Sequence, residues 1–292
     1  MASLLEMRRR IKSVKNTQQL TKAMKMVAAA KLKRAQDRVT SARPYAFKMG
    51  EVLGGLSAKV AGDFSHPLLD ERGDENYLIV LVSADKGLCG GFNANLIKAA
   101  ATFLAANSDK ESSMIPVGRK GRDYFRRRNV GFRSEYIGLT GQGQVEISDA
   151  REISDNVIRT FAEDETIDKV FLVFTEYKTV MSQEVKVEQL LPIAKITSDG
   201  EATAGAEAEY IYELPPAEIF GKLLPKQVET QIYRAMIESV ASEQGARMTA
   251  MDSASKNAGE LIDTLTLNMN RIRQADITRE IIEVVSGAAA AQ

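Results

Sequence analysis

The apolar residues at both ends of the chain recur at helical spacing over long stretches without a helix breaker. No proline or glycine occurs from Ser3 to Ala42, and the stretch from Lys226 to Gln292 has no proline and only three glycines. Helices of that length extend about 60–90 Å, more than the width of a small domain. Each therefore needs a partner along its length. The pattern predicts that the two terminal helices pack against each other as an antiparallel coiled coil.

Each predicted helix carries an apolar stripe that could form the seam between the two. The first stripe comprises Leu4, Met7, Ile11, Val14, Leu20, Met24, Val27, Leu32, Ala35 and Val39. The second comprises Val228, Ile232, Met236, Val240, Ala258, Leu261, Leu265, Met269, Ile272, Ile277, Ile281 and Val284. The steps depart from a strict seven-residue repeat, so we expect an irregular seam.

Strand-like apolar runs alternate with helical patterns in the middle of the chain. Residues 77–82 (YLIVLV) and 169–174 (KVFLVF) are near-continuous apolar runs, which is typical of parallel strands covered on both faces. Weaker elements are predicted as strands at 114–117, 184–191 and 210–214, and as a helix at 148–162 with Ser148 as its N-cap. This alternation predicts an α/β domain whose sheet has a parallel core.

Basic residues are concentrated at the N-terminus although the whole chain is neutral. Residues 1–43 contain twelve lysines and arginines against Glu6 and Asp37, a net charge of 12 − 2 = +10, so the remainder carries −10. This asymmetry indicates an acidic protein partner, an anionic surface or nucleic acid. No aromatic residue precedes Tyr45, so this segment has no platform on which bases could stack.

The glycine-rich motif at 83–95 (SADKGLCGGFNAN) has the strand–turn–helix context of a phosphate-binding loop. It lacks the residue order of a P-loop and of a dinucleotide fingerprint, which favours a tight loop or a partner contact. Cys89 is the only cysteine and His66 the only histidine, too few for an intramolecular disulfide or an ordinary zinc site. We therefore predict no catalytic, cofactor or metal site. We also expect no membrane anchor, since no apolar run reaches about 18 residues. We expect no secretory signal, since the N-terminus has neither an apolar h-region nor a small-residue cleavage site.

Three segments of the chain resemble the gamma subunits of F-type ATP synthases. They are Arg8–Gln36 (RRRIKSVKNTQQLTKAMKMVAAAKLKRAQ), Ser83–Asn95, and Ile277–Ala290 (ITREIIEVVSGAAA). The last segment matches the C-terminal signature of the family at Thr278, Glu280, Glu283, Gly287 and Ala288. The resemblance covers the whole chain, with the segments in the family's order.

The resemblance implies a fold and a function for each part of the chain. The terminal helices would form a left-handed coiled coil, the central rotor shaft inside a hexamer of three alpha and three beta subunits. The middle would be a Rossmann-like domain whose foot binds the epsilon subunit and the ring of membrane c subunits. Such a subunit carries torque, binds no nucleotide, and lies peripherally at the cytoplasmic face of the bacterial plasma membrane through the complex.

The resemblance also implies partner contacts at particular positions. Met24 and Lys25 match the position that faces an acidic loop of beta, and we expect Lys22, Lys31 and Lys33 to act jointly with Lys25 there. Lys86 and Cys89 match a loop near the same beta loop. The other matching positions interact with the hexamer or couple the helices, and they are Arg247, Arg273, Gln274, Thr278, Glu280 and Glu283.

These observations predict an α/β protein with long terminal helices. The predicted parts are an N-terminal shaft helix at 1–58, a linker at 59–76, a central domain at 77–215 and a C-terminal shaft helix at 216–292. Two other classes of function stay open from the residues alone. One is a coiled-coil adaptor or nucleic-acid-binding protein that uses the basic helix. The other is a thiol- or phosphate-dependent enzyme built around Cys89.

Overall fold

The computed structural model describes residues 4–60, 64–141, 145–193 and 214–290 of the chain. A helix opens the chain, α1 at Leu4–Lys59, and another closes it, α5 at Pro216–Ala290. Pro44 lies inside α1 and Pro225 inside α5, and neither ends its helix. An interior proline costs about 3 kcal/mol. The fully buried Leu224 and Val228 beside Pro225 provide packing that offsets this cost in α5.

The chain divides into two compact units, one formed by residues 1–28 and 247–292, the other by residues 29–246. In the first unit α1 and α5 run antiparallel, because Met7 and Ile11 pack with Leu265 while the later Lys25 reaches the earlier Asp252. The seam between the two helices is lined further by Val14, Ile262, Met269 and Ile272.

The seam keeps a strict seven-residue repeat, which the sequence analysis did not predict. From Val14, seven residues turn a helix to within about 20° of its starting direction, whereas six leave it about 120° away. Thr21 therefore lies on the seam and is buried, while Leu20 is exposed. Ala28 is likewise buried and Val27 exposed, and Leu261 of α5 is exposed as well. The prediction of these three apolar residues as seam positions was wrong.

The second unit is built around a five-stranded sheet. Its strands are β1 at Asn76–Val82, β2 at Glu111–Val117, β3 at Gly131–Phe132, β4 at Lys169–Tyr177 and β5 at Gln183–Leu191. Its short helices are α2 at Phe92–Ala106, α3 at Arg119–Arg126 and α4 at Ile147–Glu163. The strand order is β3-β2-β1-β4-β5, with β1 to β4 parallel and β5 antiparallel to β4.

This strand order confirms the predicted Rossmann-like α/β fold, since the order reverses beside β1 as in doubly wound sheets. Strand β1 is central and its residues from Tyr77 to Val82 are all buried. One face of the sheet is covered by α2 and α3, whose Leu96 and Phe125 pack against Ile79 and Leu81. The near-continuous apolar run at 77–82 follows from this burial on both faces.

Two predicted elements differ from the structure or cannot be compared with it. Helix α4 begins at Ile147 after Glu146 as its N-cap, so the prediction of Ser148 as N-cap was wrong. The Asp149 carboxylate accepts the Glu146 backbone N–H at 3.0 Å, which fixes the helix start two residues earlier. The predicted strand at 210–214 lies outside the described residues except for Leu214.

Candidate functional site

Polar residues interrupt the apolar seam of the unit formed by residues 1–28 and 247–292. The repeat that runs through Ile11 continues to Gln18 and Lys25, seven and fourteen residues later. The Gln18 amide donates to the Ser255 carbonyl oxygen at 3.3 Å, and the Lys25 ammonium lies 2.6 Å from the Asp252 carboxylate. Polar pairs at such positions fix which residues face each other along a helix pair.

The Asp252 carboxylate is held by two ammonium groups. Lys25 donates a hydrogen bond to it, and Lys256 lies 3.0 Å from its other oxygen. The hydrogen bond from Lys25, and then that from Lys256, lowers the pKa of Asp252 below its ordinary value of 3.8. A lowered carboxyl pKa adds stability that is present above the ordinary value and is lost as the pH falls through the lowered one.

The Lys25–Asp252 pair is expected to set the register of the helices, with a small effect on stability. Lys25→Glu alone would place two carboxylates together and lower the free energy of unfolding only modestly, because the pair is partly exposed. The charge-swapped double variant with Asp252→Lys should regain part of that loss, because the new lysine pairs with the glutamate at 25 but lies beside Lys256. A double-mutant cycle by chemical denaturation measures the coupling. A swap no more stable than the sum of its single variants would contradict the pairing.

The other predicted contact residues of this unit are exposed or half-buried. Lys22 is exposed and, with Lys25, lines a groove of about 630 Å³ that also contains Asp252 and Glu260. Met24 and Arg247 are half-buried. The remaining predicted residues of α5 are all exposed, namely Arg273, Gln274, Thr278, Glu280 and Glu283. Within this group the Thr278 hydroxyl donates to the Gln274 carbonyl oxygen at 2.9 Å.

The C-terminal part of α5 exposes apolar side chains on more than one face. Ile277 is 48% exposed and Val284 72% exposed, and Ile281, Ile282 and Val285 lie between these values. An exposed apolar surface of this kind is the usual mark of a protein–protein contact. The predicted stripe at Ile277, Ile281 and Val284 is thus open to a partner.

In the unit formed by residues 29–246, the two lysines of α1 that were predicted to contact a partner differ in exposure. Lys31 is half-buried, whereas Lys33 is exposed and lies 3.0 Å from the Asp37 carboxylate one helical turn away. An exposed pair of this kind contributes only a few tenths of a kcal/mol, so the Lys33 side chain can rearrange toward a partner at little cost.

The loop after β1 presents one set of side chains outward and buries another. Lys86 and Leu88 are exposed, and Leu88 has a φ of +61°, which is uncommon for a residue with a branched side chain. Cys89 is buried and packs with Phe92 and with Ala246 of α5. The Asn93 amide donates to the Cys89 sulfur at 3.1 Å. The buried thiol therefore serves packing of this loop, while Lys86 is available to a partner.

Asp85, which the sequence analysis did not single out, organises the carboxyl ends of β1, β2 and β3. One carboxylate oxygen accepts the backbone N–H groups of Arg119 and Gly138, at 3.1 and 3.0 Å. The other accepts the Gly141 N–H at 2.9 Å and the Thr140 hydroxyl at 3.0 Å. Converging backbone N–H groups at a helix start are the donors that phosphate-binding loops offer to an anion. Here the chain's own carboxylate occupies them.

Neither a metal cluster nor a membrane-spanning helix occurs in the part of the chain that the structure describes. In residues 4–60, 64–141, 145–193 and 214–290, histidine, cysteine and carboxylate side chains form no group of three that could hold a metal ion. Within the same ranges, none of the helices combines the length and the apolar character that crossing a bilayer requires.

Comparison with known proteins identifies the family. The family model described as ATP synthase matches residues 3–291. The chain is 52% identical over 295 residues to the ATP synthase gamma chain of Solibacter usitatus and 47% identical over 294 residues to that of Chlorobaculum tepidum. These alignments cover 100% of both chains in the first case, and 99% of this chain and 98% of the relative in the second.

Solved structures agree with the sequence relatives. The central stalk/c-ring structure of the Tetrahymena thermophila mitochondrial ATP synthase contains a chain that is 25% identical, with a TM-score of 0.60 over 81% of this chain and 99% of that one. A chain of the Euglena gracilis mitochondrial ATP synthase has the same fold, at 18% identity and a TM-score of 0.67, covering 98% of this chain and 94% of that one. The chain belongs to the ATP synthase gamma chain family.

Proposed function

We propose that the chain is the central-stalk rotor subunit of an F-type ATP synthase. It transmits torque between proton flow through the membrane sector and the catalytic beta subunits, and it contributes to assembly and regulation of the complex. The observation that carries the proposal is an antiparallel helix pair that continues into an exposed apolar helix end, in a chain of the gamma chain family. An apolar helix end needs a sleeve of apolar residues around it, which a ring of other subunits would supply.

The proposed partners are three alpha and three beta subunits, an epsilon subunit and a ring of membrane c subunits. The Tetrahymena chain belongs to a structure of the central stalk and c-ring, and the Euglena chain belongs to a structure of OSCP, F1 and the c-ring. By analogy, the chain would lie peripherally at the cytoplasmic face of the bacterial plasma membrane. The four parts at 1–58, 59–76, 77–215 and 216–292 remain the proposed division into shaft, linker, central domain and shaft.

The chain itself would be non-catalytic within the enzyme complex. The Asp85 carboxylate supports this, because it fills the anion-binding donors at the carboxyl ends of the strands. A nucleotide phosphate would have to displace a covalently tethered anion there. Rotation by the chain and catalysis by the beta subunits are then separate tasks.

The proposed contact with beta is electrostatic and shared among several lysines. Lys22, Lys31 and Lys33 are the cations that would meet acidic loops of beta as the rotor turns, with Met24 packing beside them. Lys25 is engaged with Asp252 in the chain, so its contribution to that contact would be indirect, through the position of the helix. Lysine suits a contact that changes angle, because its flexible ammonium needs no fixed bidentate geometry.

Copurification from membranes tests the proposal. A tagged chain should recover three alpha and three beta subunits per chain, quantified by mass spectrometry or densitometry. Ile281→Asp should reduce recovery of the hexamer, because it places a charge on the apolar helix end. Lys222→Gln, at an exposed position of α5 outside the apolar helix end, is the control and should recover the hexamer fully. Recovery of nucleic acid or an unrelated protein without alpha and beta would contradict the proposal.

A further inference from the structure

The last residues of β4 extend beyond the strand that flanks them on one side. Pairing between β1 and β4 ends at Leu81 and Val173, whereas β4 continues to Tyr177 along β5. The backbone groups of Thr175 and Tyr177 on the open edge thus have no neighbouring strand. Buried backbone groups need hydrogen-bond partners, so the source of those partners shows what closes this edge.

Side chains of the two long helices supply the missing partners, all within the unit of residues 29–246. The Thr175 N–H donates to the Ser239 hydroxyl at 3.2 Å, and the Ser242 hydroxyl donates to the Thr175 carbonyl oxygen at 3.2 Å. The Tyr177 N–H donates to the Glu238 carboxylate at 2.8 Å. The Arg43 guanidinium of α1 donates to the Tyr177 carbonyl oxygen at 2.8 Å. We call these four hydrogen bonds the β4 joint.

A charged pair ties the two helices together at the β4 joint. The Arg43 guanidinium donates to both Glu238 oxygens, at 3.1 and 3.2 Å. The Glu238 side chain is 4% exposed, and the Arg43 side chain is 48% exposed. A buried carboxylate is strongly disfavoured without such partners, and a planar guanidinium with two parallel bonds fixes the geometry of its acceptor. Gln36 of α1 adds a further contact to the Tyr177 hydroxyl.

The chemistry of the β4 joint suits the transmission of a turning force. Apolar packing is non-directional, so two surfaces held by it alone can slide past each other. Hydrogen bonds and a bidentate ion pair are directional, and a small displacement breaks them. Among the described contacts, this set joins α1, α5 and the sheet at one place. A force that turns the sheet relative to the helices therefore loads these bonds, together with the ion pair between Arg234 of α5 and Glu188 of β5.

We propose that the β4 joint is where torque passes between the α/β sheet and the two long helices, with Arg43 and Glu238 as positioning residues. The inference rests on the proposed rotor function and adds the residues that couple the two parts of the rotor. It predicts that a weakened β4 joint deforms when the rotor turns against an opposing proton gradient. ATP hydrolysis then continues while fewer protons are pumped for each ATP.

The test uses the assembled complex in inverted membrane vesicles. Glu238→Gln keeps an acceptor for the Tyr177 N–H but removes the charge, and Arg43→Lys keeps the charge but removes the bidentate fit. Both should leave ATP hydrolysis per complex near the unaltered rate. Under a steep proton gradient, proton uptake per ATP should fall about twofold or more as the directional bonds are lost. Without a gradient the loss should be smaller.

Two further variants keep the result interpretable. Lys222→Gln breaks an exposed ion pair with Glu218 on α5, and its proton uptake per ATP should be unchanged at every gradient. Ser239→Ala removes one neutral hydrogen bond of the joint, so it should assemble and show a smaller loss in the same direction. The inference would be overturned if proton uptake per ATP stayed normal in Ser239→Ala and in those of the Glu238→Gln and Arg43→Lys variants that assemble. Absence of the unaltered chain from the complex would instead overturn the proposed function.

Discussion

Replacing Asp85 with alanine is expected to lower the free energy of unfolding of the full chain by about 2–4 kcal/mol. The carboxylate accepts three backbone N–H groups and one hydroxyl, and alanine leaves all four donors without their acceptor. The side chain is 8% exposed, so water cannot replace it without rearrangement of the loops at 118–119 and 138–141. Loss of that many hydrogen bonds to one charged group is among the larger effects of a single substitution.

Hydrogen exchange gives the most direct readout of the Asp85 substitution. The amides of Arg119, Gly138 and Gly141 should lose protection in Asp85→Ala, while amides in the centre of β1 keep theirs. Asp85→Asn is the matched variant, and its amide protection should lie between that of the unaltered chain and that of Asp85→Ala. The asparagine oxygen still accepts hydrogen bonds, whereas its NH2 group faces a backbone donor and cannot accept from it. Unchanged protection at the three amides in Asp85→Ala would show that the carboxylate does not hold these loops.

Gly118→Ala is expected to be still more damaging, by about 4 kcal/mol or more, and to prevent stable folding of the sheet. Gly118 has a φ of +101°, where a residue with a β-carbon is strained. An added β-carbon would lie 2.1 Å from the Ser83 carbonyl oxygen, which belongs to buried backbone at the end of β1. Backbone cannot move aside as a flexible side chain can, so the overlap must displace β1 or the start of α3.

Thermal unfolding followed by circular dichroism measures the effect of Gly118→Ala. The matched control is Gly131→Ala in the edge strand β3, where an added β-carbon has no atom within 4 Å and φ is not positive. That control should change stability by no more than about 0.5 kcal/mol. Equal unfolding temperatures for the two variants would contradict the close approach of Gly118 to Ser83.

The sequence predicted the elements of the fold where periodicity was carried by apolar residues. Residues 77–82 and 169–174 were recognised because both faces of those strands are buried, and the long helices because no breaker interrupts them. The seam of the first unit was mispredicted because polar side chains occupy its repeat. Gln18 and Lys25 broke the apolar pattern although they lie on the seam, and Leu20 and Val27 continued the pattern although they point away from it.

The buried polar contacts could not be predicted from sequence patterns. Asp85 lies inside the glycine-rich motif at 83–95. Its negative charge would repel a phosphate, so the residue itself already indicates that the motif does not bind one. Arg43 and Glu238 are separated by 195 positions in the chain, and nothing local in either segment indicates that they pair. Contacts of this kind depend on how α1, α5 and β4 meet, which the order of residues along one element does not encode.

Direct observation of rotation tests the central claim, that the chain is a rotor. The hexamer would be fixed to a surface and a probe attached through Arg127→Cys, an exposed position, in a chain that also carries Cys89→Ser. With ATP present, the probe should turn in one direction through successive steps, and it should stop when ATP is removed. ATP hydrolysis by the same complexes without directed turning of the probe would contradict the claim.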